Sequence, residues 1–233
     1  ICLQETHLID LNYLKKVWQS EYVVSNGTRA SRGVAILVGK NINVINKLQC
    51  DEGRYAICKL KNHSLQLNSF VANIYAPNNH AVSLNFYRNF FEIFEQFIDD
   101  NSNENEDFDV CITGDFNFVT SSTDCKNRNF TPAEAKLAEF VNDKMSMLDL
   151  TDAKYLDKDP SIFTWQGRNI FSRLDRFYIN QSLLNKSFKV SKQWGQECKS
   201  DHAMVRLDYL VKYDKRGPGI LKLDQNILKK KEN

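Results

Sequence analysis

Residues 107–117 read DFDVCITGDFN. Val110, Cys111 and Ile112 make a short apolar strand, and Gly114 precedes a carboxylate, an aromatic ring and an amide. Side chains two apart on an extended chain share a face. Asp115 and Asn117 are therefore expected to point together, with Phe116 turned into the core. That pairing suits water activation or metal binding, and it equally suits an ordinary Asp/Asn turn. The surrounding chain has to separate the two.

Upstream, ICLQE ends in Glu5, and GVAILVG (33–39), NVINKLQ (43–49), YAICKL (55–60) and LQLNSFVANIYA (65–76) follow as β-branched or alternating runs between polar turns. SLNFYRNFFEIFEQFI (83–98) places Tyr87, Phe90, Phe91, Phe94, Phe97 and Ile98 at helical spacing, with Ser83 as the expected N-cap. This aromatic stripe reads as core. DDNSNENED (99–107) reads as an acidic, solvated surface loop inside the domain. Thr131, Pro132 and Glu134 form a capping box with proline at the first helical position, opening a helix over 131–141. Late strands are expected at IFTW (162–165), RLDRFYI (173–179) and AMVRLDY (203–209). Many strands with few interspersed helices predict a mixed, layered α/β domain rather than βαβ winding.

The chain has 233 residues with 42% hydrophobic and 26% charged, which is ordinary for a folded domain of enzyme size. Net charge is +2. Residues 212–233 hold seven Lys/Arg against three Asp/Glu, or +4, which leaves −2 for residues 1–211. A nucleic acid would have to be held by local basic patches and not by a strongly basic body. The six cysteines show no C-x-x-C and no zinc-like spacing with histidine, so reduced thiols and an intracellular setting are expected. There is no apolar run of membrane-spanning length, and no membrane partner is expected. The chain begins with Ile inside an apparent strand, which suggests a fragment.

Polar residues recur where apolar strands end, the usual place for a site built over a rigid sheet. Glu5 closes the first strand, Tyr75 and Asn78 the fifth, and Asp115 and Asn117 the sixth. Thr164 lies near the end of IFTW, Arg173 and Asp175 open SRLDRF, and Ser200-Asp201-His202 precede the last strand. Hard oxygen donors such as Glu5 and Asp201 favour Mg²⁺ or Mn²⁺ over zinc. Asp201 cannot orient the adjacent His202 on an extended chain, which makes Asp175 the natural partner of that imidazole. The set suggests metal-assisted hydrolysis of a phosphate ester with water as nucleophile. Each motif taken singly also has a plainer reading: a helix-entry turn at Glu5, a proline turn at 75–78, an Asp175 pair with Arg173 or Arg176, a strand cap at 200–202.

The motifs QET, NIYAPN, GDFN, SRLD and SDH, in this order and over residues 1 to about 210, resemble the endonuclease/exonuclease/phosphatase superfamily. RGVAIL (32–37), SRLDRFYIN (172–180) and the tail RGPGILKLDQNIL (216–228) look like the endonuclease domain of non-LTR, LINE-type retrotransposon polyproteins. The resemblance implies a deoxyribonuclease I-like four-layer α/β sandwich, with two packed mixed sheets flanked by helices, over residues 1–211. It implies a linker at 212–233 leading to a reverse transcriptase domain. It further implies double-stranded DNA as partner, Mg²⁺ or Mn²⁺ as cofactor and a nuclear location. On that pattern Glu5 ligates the metal and Asp201 supports the metal or leaving-group side. Asp115 deprotonates water oriented by Asn117, His202 binds a phosphate oxygen, and Asp175 holds His202. Tyr75 and Asn78 contact the phosphate or leaving group. Ser200 lies on the substrate side, and Thr164 and Arg173 face the DNA backbone. QGRNIF (166–171) is expected to form a hairpin reaching into a groove, with Arg168 and Asn169 reading the DNA. The family carries an Asn on a strand before QET, which this sequence does not contain. A small phosphoester or phospholipid hydrolase of the same superfamily, and an inactive nucleic-acid-binding module, are the alternatives.

Overall fold

A computed structural model describes residues 1–62, 67–103, 106–156, 163–186, 188–195 and 200–209. In chain order the elements are β1 (Cys2–Leu3), α1 (Asn12–Val17), β2 (Tyr22–Ser25), β3 (Val34–Leu37), β4 (Asn43–Gln49), β5 (Tyr55–Asn62) and β6 (Leu67–Tyr75). There follow α2 (His80–Asn101), β7 (Asp109–Asp115), β8 (Cys125–Lys126), α3 (Pro132–Met147) and β9 (Leu150–Asp152). The hairpin β10 (Trp165–Gly167) and β11 (Ile170–Ser172), then β12 (Asp175–Asn180), α4 (Gln181–Leu184), β13 (Phe188–Gln193) and β14 (Met204–Tyr209) complete the chain. The expected linker at 212–233 lies outside the described residues.

A six-stranded mixed sheet, in the order β4-β5-β6-β7-β12-β9, is the centre of the fold. Its β6–β7 pair is parallel and its other pairs are antiparallel. Alternation along the strands sends side chains to two different cores. On one face α2 and α3 cover Ile57, Phe70, Ala72, Ile74, Ile112 and Tyr178 with Tyr87, Phe90, Phe91, Phe94, Leu137 and Val141. Every ring of this helical stripe at 87, 90, 91 and 94 is fully buried, each worth roughly 2–3 kcal/mol relative to exposure. On the other face a small sheet, β1-β3-β2, packs Val23, Val34, Ile36 and Val38 against Ala56 and Cys58. The β13–β14 pair covers Phe177 and Ile179 on that same side, and α1 closes the outside of the small sheet through Leu14. Helix, small sheet, large sheet and helix pair are the four layers expected of the fold, except that the small sheet is antiparallel in both pairings and only the large one is mixed.

Local readings hold where the signal is local. The Thr131–Glu134 capping box forms as expected. The long helix starts earlier than expected because Asn79, not Ser83, caps it and accepts from the Ala81 N–H. Ser83 is buried inside the first turn, its hydroxyl donating to the carbonyls of Pro77 and Asn79. The same helix runs to Asn101, so the acidic stretch is a loop only beyond it, and its Glu106 pairs with Lys59 and Lys61. Helix α1 and strands β2 and β13 had no clear sequence signal, being short or mixed in polarity. Cys2, Cys50, Cys58, Cys111 and Cys125 are free thiols, and among the described residues no helix is long and apolar enough to cross a membrane.

Candidate active site

Strand register assembles the site. The parallel β6–β7 pairing sets Tyr75 opposite Asp115, and the antiparallel β7–β12 pairing sets Asp175 opposite the same residue. Tyr75, Asp115 and Asp175 thus form one row across three adjacent interior strands, at the strand ends on one side of the large sheet. Gly114 permits this approach. Its φ is +128°, and a Cβ there would overlap the carbonyl oxygen of Ile74. Phe116 is buried, as expected, stacked on Tyr87 and tilted against Tyr178. Asn117, however, meets Asp115 through a turn and not through strand alternation: β7 ends at Asp115 and Asn117 has φ +53°. The Asn117 N–H donates to Asp115 Oδ1 at 2.9 Å and its Nδ2 to Oδ2 at 2.9 Å. Nδ2 also donates to the Ala76 carbonyl at 2.8 Å, tying the 115–117 turn to the end of β6.

His202 closes the row. Its Nδ1 lies 2.9 Å from Asp175 Oδ2, and its Nε2 lies 4.0 Å from Asp115 Oδ2. The second distance exceeds a hydrogen bond and leaves an oxygen atom room to bridge the two groups. Burial alone would lower the pKa of His202, but the Asp175 hydrogen bond and the charges of Asp175, Asp115 and Asp201 outweigh it and push it up to about 9. Asp115 is pushed up to about 7, first by burial and then by the Asp175 charge, against the lowering effect of His202. A buried carboxyl poised near neutrality beside a protonated imidazole is suited to moving protons.

On the Tyr75 side, the Tyr75 hydroxyl donates to Glu5 Oε1. Burial and the Glu5 bond raise the phenol's pKa, which keeps that proton in place. Glu5 lies beyond β1 with φ +50°, a costly conformation for a residue with a Cβ and one that clusters at functional sites. Glu5, Asp115 and Asp175 set three carboxylates against one imidazole, a surplus of negative charge that a divalent cation would offset. Among the described residues no group of three His, Cys, Asp or Glu is close enough to encage a metal. The side chains of Glu5, Asp115 and Asp175 offer oxygen donors of the kind that hard divalent ions take.

Two expected DNA contacts lie elsewhere. Thr164 is buried, and its hydroxyl accepts from the Leu174 and Asp175 N–H groups at 3.0 Å each, so it supports Asp175 and cannot face a DNA backbone. Arg173 is buried and paired through both terminal nitrogens with Asp152 at 2.7 and 2.5 Å. Neither Arg173 nor Arg176 takes Asp175: Arg173 pairs with Asp152, and Arg176 lies against Asp124 and donates to the Arg173 carbonyl. Asp201 is exposed, and its Oδ2 accepts from the Trp165 indole at 2.7 Å. The Ser200 hydroxyl accepts the His202 N–H at 3.1 Å. Asn78 is exposed between Pro77 and the α2 cap. QGRNIF does form a hairpin turn, with exposed Arg168 (φ +53°) and Asn169 at its tip.

Three residues of the site had no assigned role in the sequence reading. The Arg54 guanidinium lies 5.1 Å from the Tyr75 ring centre and donates to the Tyr75 and Ala76 carbonyls. Arg176 is fully buried, 5.6 Å from the Phe116 ring and 5.1 Å from the Phe118 ring, bracing both flanks of Asn117. Asn73 is buried between the sheets, donating to the Leu3 and Ala35 carbonyls. An amide inside the apolar run FVANIY was the signal for it.

A model of the Endonuclease/Exonuclease/phosphatase family matches residues 1–202. The chain belongs to this family. Solved structures with a similar fold include the AP endonuclease LMAP from Leishmania major (TM-score 0.68, 14% identity, covering 88% of this chain and 76% of that one). An AP endonuclease from Archaeoglobus fulgidus is similar at TM-score 0.61 and 14% identity, over 89% and 87% of the two chains. Truncated Caenorhabditis elegans TDP2 is similar at TM-score 0.57 and 19% identity, over 89% and 82%. The match takes in GDFN, SRLD and SDH, so the row described above lies within the family domain.

Proposed function

We propose that this Endonuclease/Exonuclease/phosphatase family chain hydrolyses phosphodiester bonds in double-stranded DNA with the help of Mg²⁺ or Mn²⁺. The observation that supports this best is the line Asp175–His202–Asp115, with its 2.9 Å contact followed by a 4.0 Å opening. An oxygen of water or phosphate fits that opening. Asp115 takes the proton of the attacking water, which Asn117 orients through its own contacts with Asp115. His202, protonated and fixed by Asp175, donates Nε2–H to a non-bridging phosphate oxygen, where negative charge grows in the transition state. Tyr75 aims the Glu5 carboxylate. A divalent ion held from the Glu5 side would supply Lewis-acid charge on the phosphate. Asn78 and the hairpin tip, both exposed, would meet substrate beyond the scissile bond.

The narrower reading is that of a LINE-type retrotransposon endonuclease, whose nick leaves a 3′-hydroxyl for a reverse transcriptase of the same polyprotein in the nucleus. It rests on the resemblance of RGVAIL, SRLDRFYIN and the tail after residue 215, of which the last lies outside the described residues. Nicking of supercoiled plasmid with Mg²⁺ or with chelator, comparing the chain with Asp115→Ala and His202→Ala, tests the reading. Metal-dependent nicking lost in both variants is the expected result. Hydrolysis of a small phosphate ester that duplex DNA does not inhibit would overturn the DNA assignment. Salt-sensitive DNA binding by a folded chain that never nicks would overturn catalysis.

A further inference from the structure

The β10–β11 hairpin is bound into the catalytic segment at its base, and one side chain pair completes the join. The Ala203 N–H donates to the Thr164 carbonyl at 2.7 Å, the Gln166 N–H donates to the Asp201 carbonyl at 3.0 Å, and Trp165 bridges to His202. Between these backbone links the Trp165 indole Nε1–H donates to Asp201 Oδ2 at 2.7 Å. The indole has little freedom to leave. It lies over Gly167, where any Cβ would overlap the ring, so the hairpin's own glycine makes room for it. One end of this unit is the exposed tip at Arg168 and Asn169. The other end is His202, whose Nδ1 is held by Asp175.

We propose that Trp165 and Asp201 form a strut that makes the hairpin and the His202 segment one rigid element, so that substrate contacts at the tip set the position of the imidazole. Trp165 is then a positioning residue, acting through Asp201 on its neighbour His202. Asp201 serves as the strut's acceptor rather than as a metal ligand. Its carboxylate is accordingly needed chiefly for its oxygen, its charge being the smallest of those that act on His202. This departs from the role expected for Asp201 from the sequence, and its kinetic consequences rest on the nuclease reading above.

The test compares Trp165→Phe, Asp201→Ala, Asp201→Asn and the double variant Trp165→Phe/Asp201→Ala in the full chain. Phe keeps an aromatic ring, without the outer indole carbons over Gly167, and has no N–H to donate, and Asn keeps an acceptor oxygen without the charge. A displaced imidazole costs turnover, so Trp165→Phe and Asp201→Ala are each expected to lower kcat about tenfold at constant KM and constant melting temperature. The double variant is expected to lose no more than either single, and Asp201→Asn to stay near the parent with an unchanged Mg²⁺ midpoint. In ¹⁵N-labelled chain, the indole resonance missing from Trp165→Phe identifies Trp165. That resonance is expected to shift in Asp201→Ala and hold in Asp201→Asn. Additive losses, or an Asp201→Asn variant that needs more Mg²⁺, would overturn the strut and return Asp201 to the metal side. The indole shift needs no activity. A strut seen by resonance in a chain that cleaves nothing would reject the nuclease reading alone, and an unmoved resonance in Asp201→Ala would reject the strut alone.

Discussion

Replacing the carboxylate at the centre of the site is expected to make the folded protein more stable while abolishing its chemistry. Burial and the Asp175 charge push Asp115 from 3.8 up to about 7. A carboxyl whose pKa is raised on folding is penalised wherever it is ionised. The penalty begins above the unfolded pKa, grows as pH rises toward the folded one, and is constant beyond it. About three pKa units at about 1.4 kcal/mol each amount to about 4 kcal/mol at pH 8. That figure already contains the opposing pull of the His202 charge. Asp115→Asn preserves the shape and carries no charge, but its single acceptor oxygen can serve only one of the two Asn117 donors, which offsets about 2–3 kcal/mol of the gain. We expect a net gain of about 1–2 kcal/mol at pH 8, or about 3–6 °C in Tm for a domain of this size. At pH 3, below the unfolded value of 3.8, Asp115 is largely protonated in both the folded and the unfolded chain, so the gain is expected to vanish. Thermal unfolding of both chains in chelator at pH 3 and pH 8 measures this. A variant less stable than the parent at pH 8, or equally stabilised at both pH values, would refute the reasoning.

Three further outcomes are expected. Arg176→Met removes a fully buried guanidinium from between Phe116 and Phe118 and from Asp124, and should cost about 3–5 kcal/mol in urea unfolding; a loss indistinguishable from zero would argue against the brace. Gly114→Ala forces a side chain onto the Ile74 carbonyl at a φ that disfavours it, whereas a Cβ at Gly39 meets only Ile42 at 3.8 Å. The first variant should therefore unfold at a far lower midpoint than Gly39→Ala, and equal midpoints would count against the close β6–β7 approach. Arg168→Ala combined with Asn169→Ala should redistribute nick positions, read by sequencing the ends, more than it lowers total cleavage; an unchanged pattern would remove the hairpin tip from target selection.

Much of the architecture is written in short-range patterns. The 87–98 stripe declares a helix and its buried face because side chains three and four apart meet whatever else the chain does. The capping box at Thr131 is complete within four residues. GDFN and SDH are legible as chemistry because carboxylates, amides and imidazole at the ends of apolar strands have few other reasons to recur together. The pairing of His202 with Asp175 could be argued from geometry alone, since the adjacent Asp201 points the other way on an extended chain. The helix start misled because Ser83 and Asn79 are both plausible caps, and only the packed turn shows that the serine faces inward to Pro77.

What the chain pattern could not supply was register and company. Nothing local states that Tyr75, Asp115 and Asp175 share a row, because cross-strand pairing depends on segments distant in sequence and on the glycine that lets β6 and β7 close together. Arg173 and Thr164 look like substrate contacts in one dimension, since a cation and a hydroxyl at strand ends suit phosphate. In three dimensions Asp152 and the backbone of Asp175 claim them first, because a buried polar group without a partner is costly. Sequence chose the chemical groups and the elements that hold them; the packing of distant strands chose which of those groups face the reaction and which hold it in place.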